Sequence, residues 1–205
     1  MTKTAQTQVP ILDLIAERWS PRAFQSRPVE TEKIIAMLEA ARWSASGGNS
    51  QPWSFIIATS DRPDDHGVMV RCLGEGNQRW ARRAPLLMMV VAEMESPEGQ
   101  RRRHAWYDCG LAVGNLAVQA MHDGLMLRQM GGFDRDLARA LYGIPATHEP
   151  ICVLAIGYRA DSDTLPDDLR DREDAPRIRK PLTEMAFTTK WGQTSPLVSE
   201  PAATS

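Results

Sequence analysis

Ser44-Ala45-Ser46-Gly47-Gly48-Asn49-Ser50-Gln51-Pro52-Trp53 is the stretch on which the reading of this chain turns. It joins two adjacent glycines to hydroxyl and amide side chains and closes on Pro-Trp. Adjacent glycines let a backbone pass through positive φ and come close to a ligand. Ser, Asn and Gln around them supply directional hydrogen bonds without net charge. Such a loop suits a flat ligand with polar edges better than a metal or a phosphate. The same residues also read as a plain helix-to-strand turn, and three further segments bear on the choice.

Working upstream, Pro28–Glu30 introduces a helix with Ile34, Ile35, Met37, Leu38 and Ala41 inward. Before it, Ile11, Leu14, Ile15 and Arg18 share one face of a helical pattern over Ile11–Trp19, which Pro21 ends. Downstream, Trp53–Ala58 reads as a strand, Asp61–Asp65 as a turn and Gly67–Cys72 as a short helix. Leu86–Ala92 is a continuous apolar run after Pro85, as expected of a central strand. Arg103–Asp123 is the longest helical pattern, with Trp106, Gly110, Val113, Ala117 and Met121 on one face. Gly110 and Gly114 lie about one turn apart, which allows close helix packing in the core or at a subunit interface.

Asp134–Leu141 predicts a short helix ending near Gly143, and Ile151–Gly157 another buried strand. Asp161–Pro176 is charged and proline-containing, hence a loop or arm. This irregular alternation favours an α+β fold over a doubly wound sheet. The expected organisation is one domain over residues 1–192 and a disordered tail over 193–205.

Composition narrows the class. The chain has 205 residues, of which 42% are hydrophobic, enough for a packed core. A net charge of −2 and a pI near 6.1 argue against a coat for nucleic acid or an anionic membrane. No apolar run approaches the roughly 18 residues of a membrane span, and Met1–Pro10 lacks the apolar stretch of a secretory signal. Cys72, Cys109 and Cys152 form neither an even set nor a C-x-x-C pair, which indicates no disulfide framework and no zinc site. His66, His104, His122 and His148 are too scattered to suggest a metal set. A cytoplasmic enzyme or binding protein is the class that remains.

Three segments complete the constellation. Arg18-Trp19-Ser20-Pro21-Arg22 places two guanidiniums around a hydroxyl, a donor set that fits phosphate oxygens. A solvated helix end is its plainer reading. Arg177-Ile178-Arg179-Lys180-Pro181 sets two arginines on one side of an extended segment, or is simply a basic linker. Gln129-Met130-Gly131-Gly132-Phe133 offers exposed backbone N–H groups to a ring nitrogen, or is a turn into the next helix. Arg101-Arg102-Arg103 precedes the long helix, where cations oppose the helix dipole; it reads best as a solvated cluster, with contact to the phosphates of a nicotinamide cofactor as the alternative.

Together, and in this order, these segments resemble the nitroreductase family of FMN-dependent oxidoreductases. The resemblance runs from about Leu14 to Gly192. It is carried by Arg18-x-Ser20-x-Arg22, the Ala45–Trp53 loop, Ala84-Pro85 before a strand, and Asp108-x-Gly110-x-Ala112-x-x-x-Leu116. Gly131-Gly132-Phe133-Asp134, Gly143-Ile144-Pro145 and Arg177-x-Arg179-x-Pro181 continue it. Ala45 departs from the proline of many relatives.

The resemblance implies an α/β/α sandwich around a mostly antiparallel sheet and an intertwined homodimer with two FMN sites at its interface. Arg18, Ser20 and Arg22 then resemble the phosphate and ribityl contacts, with Arg177 and Arg179 closing on the phosphate. Ala45, Ser46, Gly47 and Asn49 resemble the loop that reaches the partner subunit's flavin. Gln129, Met130, Gly131 and Gly132 resemble the segment beneath its N5 edge. NADH or NADPH is the implied donor and a nitro compound, quinone or enal the implied acceptor, in ping-pong turnover. The flavin carries the chemistry, so no catalytic side chain and no metal ligand is expected. A non-catalytic protein that stores or senses FMN, or a flavin-dependent oxidase or dehydrogenase on the same scaffold, would share the cradle.

Overall fold

Leu86–Ala92, the longest unbroken apolar run, lies inside strand β2 (Leu86–Glu93) and is buried throughout. It is flanked by β1 (Trp53–Thr59) and β4 (His148–Gly157), and β3 (Met126–Met130) adds to the far side of β4. Every pairing is antiparallel and the strand order is β1-β2-β4-β3. Trp53 pairs with Ala92 and Arg128 with Ala155, so these two residues mark opposite corners of the sheet. The ladder shifts register between Val90 and Val91, which locally raises strand twist. The computed structural model describes residues 3–199.

Alternation along the strands feeds two cores. Leu87, Met89, Val153, Ala155 and Met130 face one side, with Met69 and Cys72 of α3 (Pro63–Cys72), Trp80 and Ala81 of α4 (Glu75–Ala81) and Ala138 of α6 (Arg135–Tyr142). Leu86, Met88, Val90, Leu127, Leu154 and Ile156 face the other, against α2 (Thr31–Arg42) and α5 (Ala105–His122). Both faces are therefore covered by helix, the arrangement of an α+β sandwich.

Several boundaries differ from the sequence expectation. Pro63 does not prolong a turn but occupies the first turn of α3, where its missing N–H costs nothing. Helix α4 and strand β3 were not read from sequence, both being short and weakly periodic. The charged stretch after Asp161 is not all loop, since α7 (Asp167–Asp174) buries Leu169 and Glu173. In α2, Met37 and Ala41 are buried but Ile35 is exposed. In α5 the buried residues are Ala105, Asp108, Cys109, Ala112, Val113, Leu116, Ala117 and Ala120. Val113 and Ala117 of the expected face are therefore buried, while Trp106 is exposed, so the buried face is centred on the small residues beside them. Trp106, Tyr107, Leu111 and Val118 form an exposed apolar strip.

All of this lies in one compact unit, Arg18–Asp174. Residues 3–17 and 175–199 belong to a second unit. In that second unit, α1 (Asp13–Glu17) is shorter than the Ile11–Trp19 pattern. Arg177 Nη1 donates to the carbonyls of Lys3 and Ala16, at 2.5 and 2.6 Å, and so ties the two ends of the chain together. Of the tail, Thr194 bridges to Phe187 and Pro196–Val198 form a 3-10 turn; residues 200–205 lie outside the described range.

Candidate functional site

The segment Arg18–Arg22 enters its unit beside β3. Arg18 Nη1 donates to Ser20 Oγ at 3.3 Å, and Arg128 Nη1 donates to the Ser20 carbonyl at 2.6 Å. The Arg128 guanidinium lies 5.5 Å above the Trp80 ring, a cation–π arrangement. Burial, and then the nearby charge of Arg22, lowers the Arg128 pKa to about 10. Arg172 acts in the same direction on both Arg22 and Arg128. Among the described residues, the buried carboxylate of Glu173 lies against Arg22. Glu173 accepts the Arg22 N–H through both oxygens, at 2.9 and 3.0 Å, accepts the Ala23 N–H at 3.3 Å, and lies 3.7 Å from Arg22 Nη1. A cradle with this excess of guanidinium over carboxylate fits an anion with forked oxygens.

Arg128 was missed from sequence because it is a lone charge in a short strand, directly before a segment that draws the eye to its glycines. Glu173 was missed because its helix read as a solvated arm. Their partners lie 108 and 151 positions away along the chain.

Gln129 and Met130 follow Arg128 on β3, so the cradle and the Gln129–Gly132 segment are continuous. Gln129, Gly131 and Gly132 are exposed and Met130 is buried. The Gly132 carbonyl accepts from Gly74 N and Asn77 Nδ2, each at 3.0 Å, which holds the segment against α4. A Cβ on Gly74 would sit 3.2 Å from that carbonyl.

The Ser44–Trp53 loop is ordered at the opposite corner. Gly47–Asn49 form a 3-10 turn, and Gly48, Asn49 and Gln51 all have positive φ, at 57°, 54° and 46°. Two of these are not glycine, so the conformation is held by bonding. Gln51 N donates to Ser46 Oγ at 3.0 Å, Gln51 Nε2 to the Asn49 carbonyl at 3.1 Å, and Gly47 N to Asp108 Oδ2 at 3.2 Å. Asp108, buried on α5, is thus a positioning group for the loop. Ala45, Gly47, Gly48 and Asn49 face outward. Trp43 is exposed just before the loop, with its Nε1 donating to Glu39 at 2.8 Å and the Arg42 guanidinium over its ring.

The remaining candidates fall elsewhere. Arg177 is engaged with backbone carbonyls, and Arg179 is exposed with its Nη1 on the Ile178 carbonyl at 2.8 Å. His66 is a satisfied core residue, with Nε2 2.9 Å from the Ala84 carbonyl. Among the described residues, no cluster of His, Cys, Asp or Glu has the make-up of a metal site, and no helix is long and apolar enough to cross a membrane.

This arrangement is a known one. The model of the Nitroreductase family matches residues 15–71 and 61–158, and the chain belongs to that family. An uncharacterised 15.4 kDa protein of Mycolicibacterium smegmatis is 34% identical over 133 residues, covering 65% of this chain and 89% of its own length. A solved oxidoreductase containing FMN superposes with a TM-score of 0.88 at 35% identity, over 95% of this chain and 99% of that one. An NADH dehydrogenase of Thermus thermophilus is 25% identical over 191 residues, 76% of this chain and 91% of its own.

Proposed function

We propose that the protein is an FMN-dependent NAD(P)H oxidoreductase acting as a dimer with shared sites. The observation that carries this reading is the arginine cradle around Ser20. Arg18, Arg22 and Arg128 would hold the phosphate, and Ser20 would hold the phosphate or ribityl chain. Bound FMN would supply two-electron chemistry, accepting hydride from NADH or NADPH and reducing a small electron-poor acceptor such as a nitro compound, quinone or enal. The chain's own residues bind and orient. The Gln129–Gly132 segment, pinned through the Gly132 carbonyl, presents exposed backbone donors. The Ser46–Asn49 loop presents polar groups fixed by Asp108 and Ser46. Arg179 is proposed as a further phosphate ligand, and Arg177 as the residue that fixes its segment.

The distance between cradle and loop supports a second copy. Arg128 and Trp53 are separated by six residues of register along β4, about 20 Å, and by three strand spacings, about 14 Å. They also serve opposite faces, since Arg128 lies over Trp80 and the loop is tied to α5. One flavin mononucleotide does not span that diagonal through the sheet. The loop of one copy would therefore complete the cradle of the other. The apolar strip of Trp106, Tyr107, Leu111 and Val118, notched by Gly110 and Gly114, supplies a self-complementary surface for such an isologous pair.

The test is to identify the heat-released cofactor by chromatography, then titrate the flavoprotein anaerobically with NADH and NADPH while sizing it at dilute concentration. FMN, bleached by a nicotinamide and lost on dissociation, is expected. A stable monomer with fully bound FMN overturns the shared site. A protein that stays colourless after reconstitution overturns the whole reading.

A further inference from the structure

Of the three consecutive arginines Arg101–Arg103, the first and last are exposed as the sequence suggests, and all three also line a pocket. The connector between β2 and α5, together with the glycine loop and the first turn of α5, lines an open cleft of about 330 Å³. That lies at the lower end of the volumes of small-molecule sites. Arg101, Arg102, Arg103 and His104 come from the connector, Gly47 from the loop and Asp108 from the helix.

The connector is built rather than loose. Glu95 and Arg101 pair across a β-bridge, Gly99 turns at φ 78°, and Ser96 N donates to the Gln100 carbonyl at 2.9 Å. Ser96 Oγ accepts from Glu98 N and Gln100 N, each at 3.3 Å, and donates to the Glu98 carboxylate at 2.8 Å. Arg102 is fixed by Glu93 at 2.8 Å. Arg101 and Arg103 are exposed, and among the described residues no carboxylate lies within salt-bridge distance of either. Asp108 lines the same pocket and accepts the Gly47 N–H at 3.2 Å, so its carboxylate faces the loop side of the cavity.

Arg101 and Arg103 precede the positive end of the 18-residue helix α5 and have no salt-bridge partner among the described residues, so a bound anion would be favoured beside them. The pocket also shares Gly47 with the loop assigned to the flavin. We propose that this pocket is a subsite for an oxyanion, phosphate or carboxylate, carried by the compound that exchanges electrons with the flavin. This rests on the flavoenzyme reading given above. Arg101 and Arg103 are the specificity-determining residues, and Arg102, held by Glu93, shapes the wall between them.

The experiment uses the FMN-loaded protein and its Arg101→Ala/Arg103→Ala variant, with flavin content read from the visible spectrum. Two substrate pairs differ only by the anion: NADPH against NADH, and 4-nitrobenzoate against nitrobenzene. The wild type is expected to favour the anionic member of at least one pair by about tenfold in kcat/KM, and the variant to lose that preference with flavin content unchanged. A preference within the first pair assigns the phosphate of the nicotinamide donor, and one within the second assigns a carboxylate on the acceptor. High salt should shrink the preference, since the two arginines are exposed. Equal rates within both pairs, or a preference that survives in the variant, overturn the subsite and leave the flavoenzyme reading intact. Absence of FMN overturns that reading instead. In that case, calorimetric binding of 2′-phospho-ADP-ribose to wild type and variant still tests the pocket: tighter binding by the wild type supports it, and equal or no binding overturns it.

Discussion

Glu173 holds the backbone of Arg22 through both carboxylate oxygens, at 2.9 and 3.0 Å, and is itself almost wholly buried. A residue of α7 thus fixes the segment that carries the proposed phosphate ligands. Removing the carboxylate would leave two N–H groups and a guanidinium without their acceptor.

Glu173→Ala should accordingly destabilise the protein by about 3 kcal/mol, as for one half of a broken buried ion pair. Thermal or urea unfolding reads this directly. Glu173→Gln keeps an acceptor oxygen and should cost less. An unchanged unfolding midpoint in the alanine variant would remove the anchoring role.

Arg128→Ala and Arg22→Ala should each weaken FMN binding by about 1.5–3 kcal/mol, the scale of a charge-assisted hydrogen bond. Riboflavin, which lacks the phosphate, should bind both variants as it binds the wild type. Flavin fluorescence titrations give both numbers, and parallel losses for the two ligands would point to misfolding rather than to a phosphate contact.

Arg177 and Arg179 should separate in behaviour. Arg177→Ala loses two carbonyl acceptors' partner and should lower thermal stability, whereas Arg179→Ala should leave stability nearly unchanged while loosening FMN. Equal effects of the two substitutions on stability and flavin affinity would contradict the division of roles.

Glu30 sets an acid limb on stability. The Tyr158 hydroxyl donates to its carboxylate at 2.6 Å, and this bond is the largest of the influences that lower the Glu30 pKa to about 2. A depressed carboxylate stabilises the fold above its unfolded pKa, near 4.5, and that contribution disappears as pH falls toward 2. Glu30→Gln should flatten this limb of the melting temperature against pH. A variant with the wild-type profile would assign the acid sensitivity to other carboxylates.

Legibility from sequence followed the range over which each signal acts. Strands β1, β2 and β4 were readable because a buried strand is a run of neighbouring apolar residues. The α6 stop at Gly143 was readable because its φ of 62° favours glycine. The face of α5 was readable only in part: Val113 and Ala117 are buried as expected, but a helix beside a sheet selects small residues by proximity, while sequence reading weights the large Trp106, which is exposed. The Arg18–Arg22 segment was visible as a motif, but Arg128 joins it only through β3 pairing. Arg101–Arg103 were visible as a run of charge, and only the folded connector shows that they border a pocket.

The strand order also dictates when the molecule can exist during synthesis. β4 pairs with both β2 and β3, yet it is the last strand in the chain. Until Gly157 has left the ribosome, β2 lacks one neighbour and β3 lacks its only one. A nascent chain therefore carries Leu86–Glu93 with one edge open for the time needed to translate the residues that follow, and long-range pairings of this kind close slowly. The cradle matures later still, since Glu173 follows the sheet. A truncated product ending after β4 would have its sheet complete and the backbone of Arg22 without its Glu173 anchor.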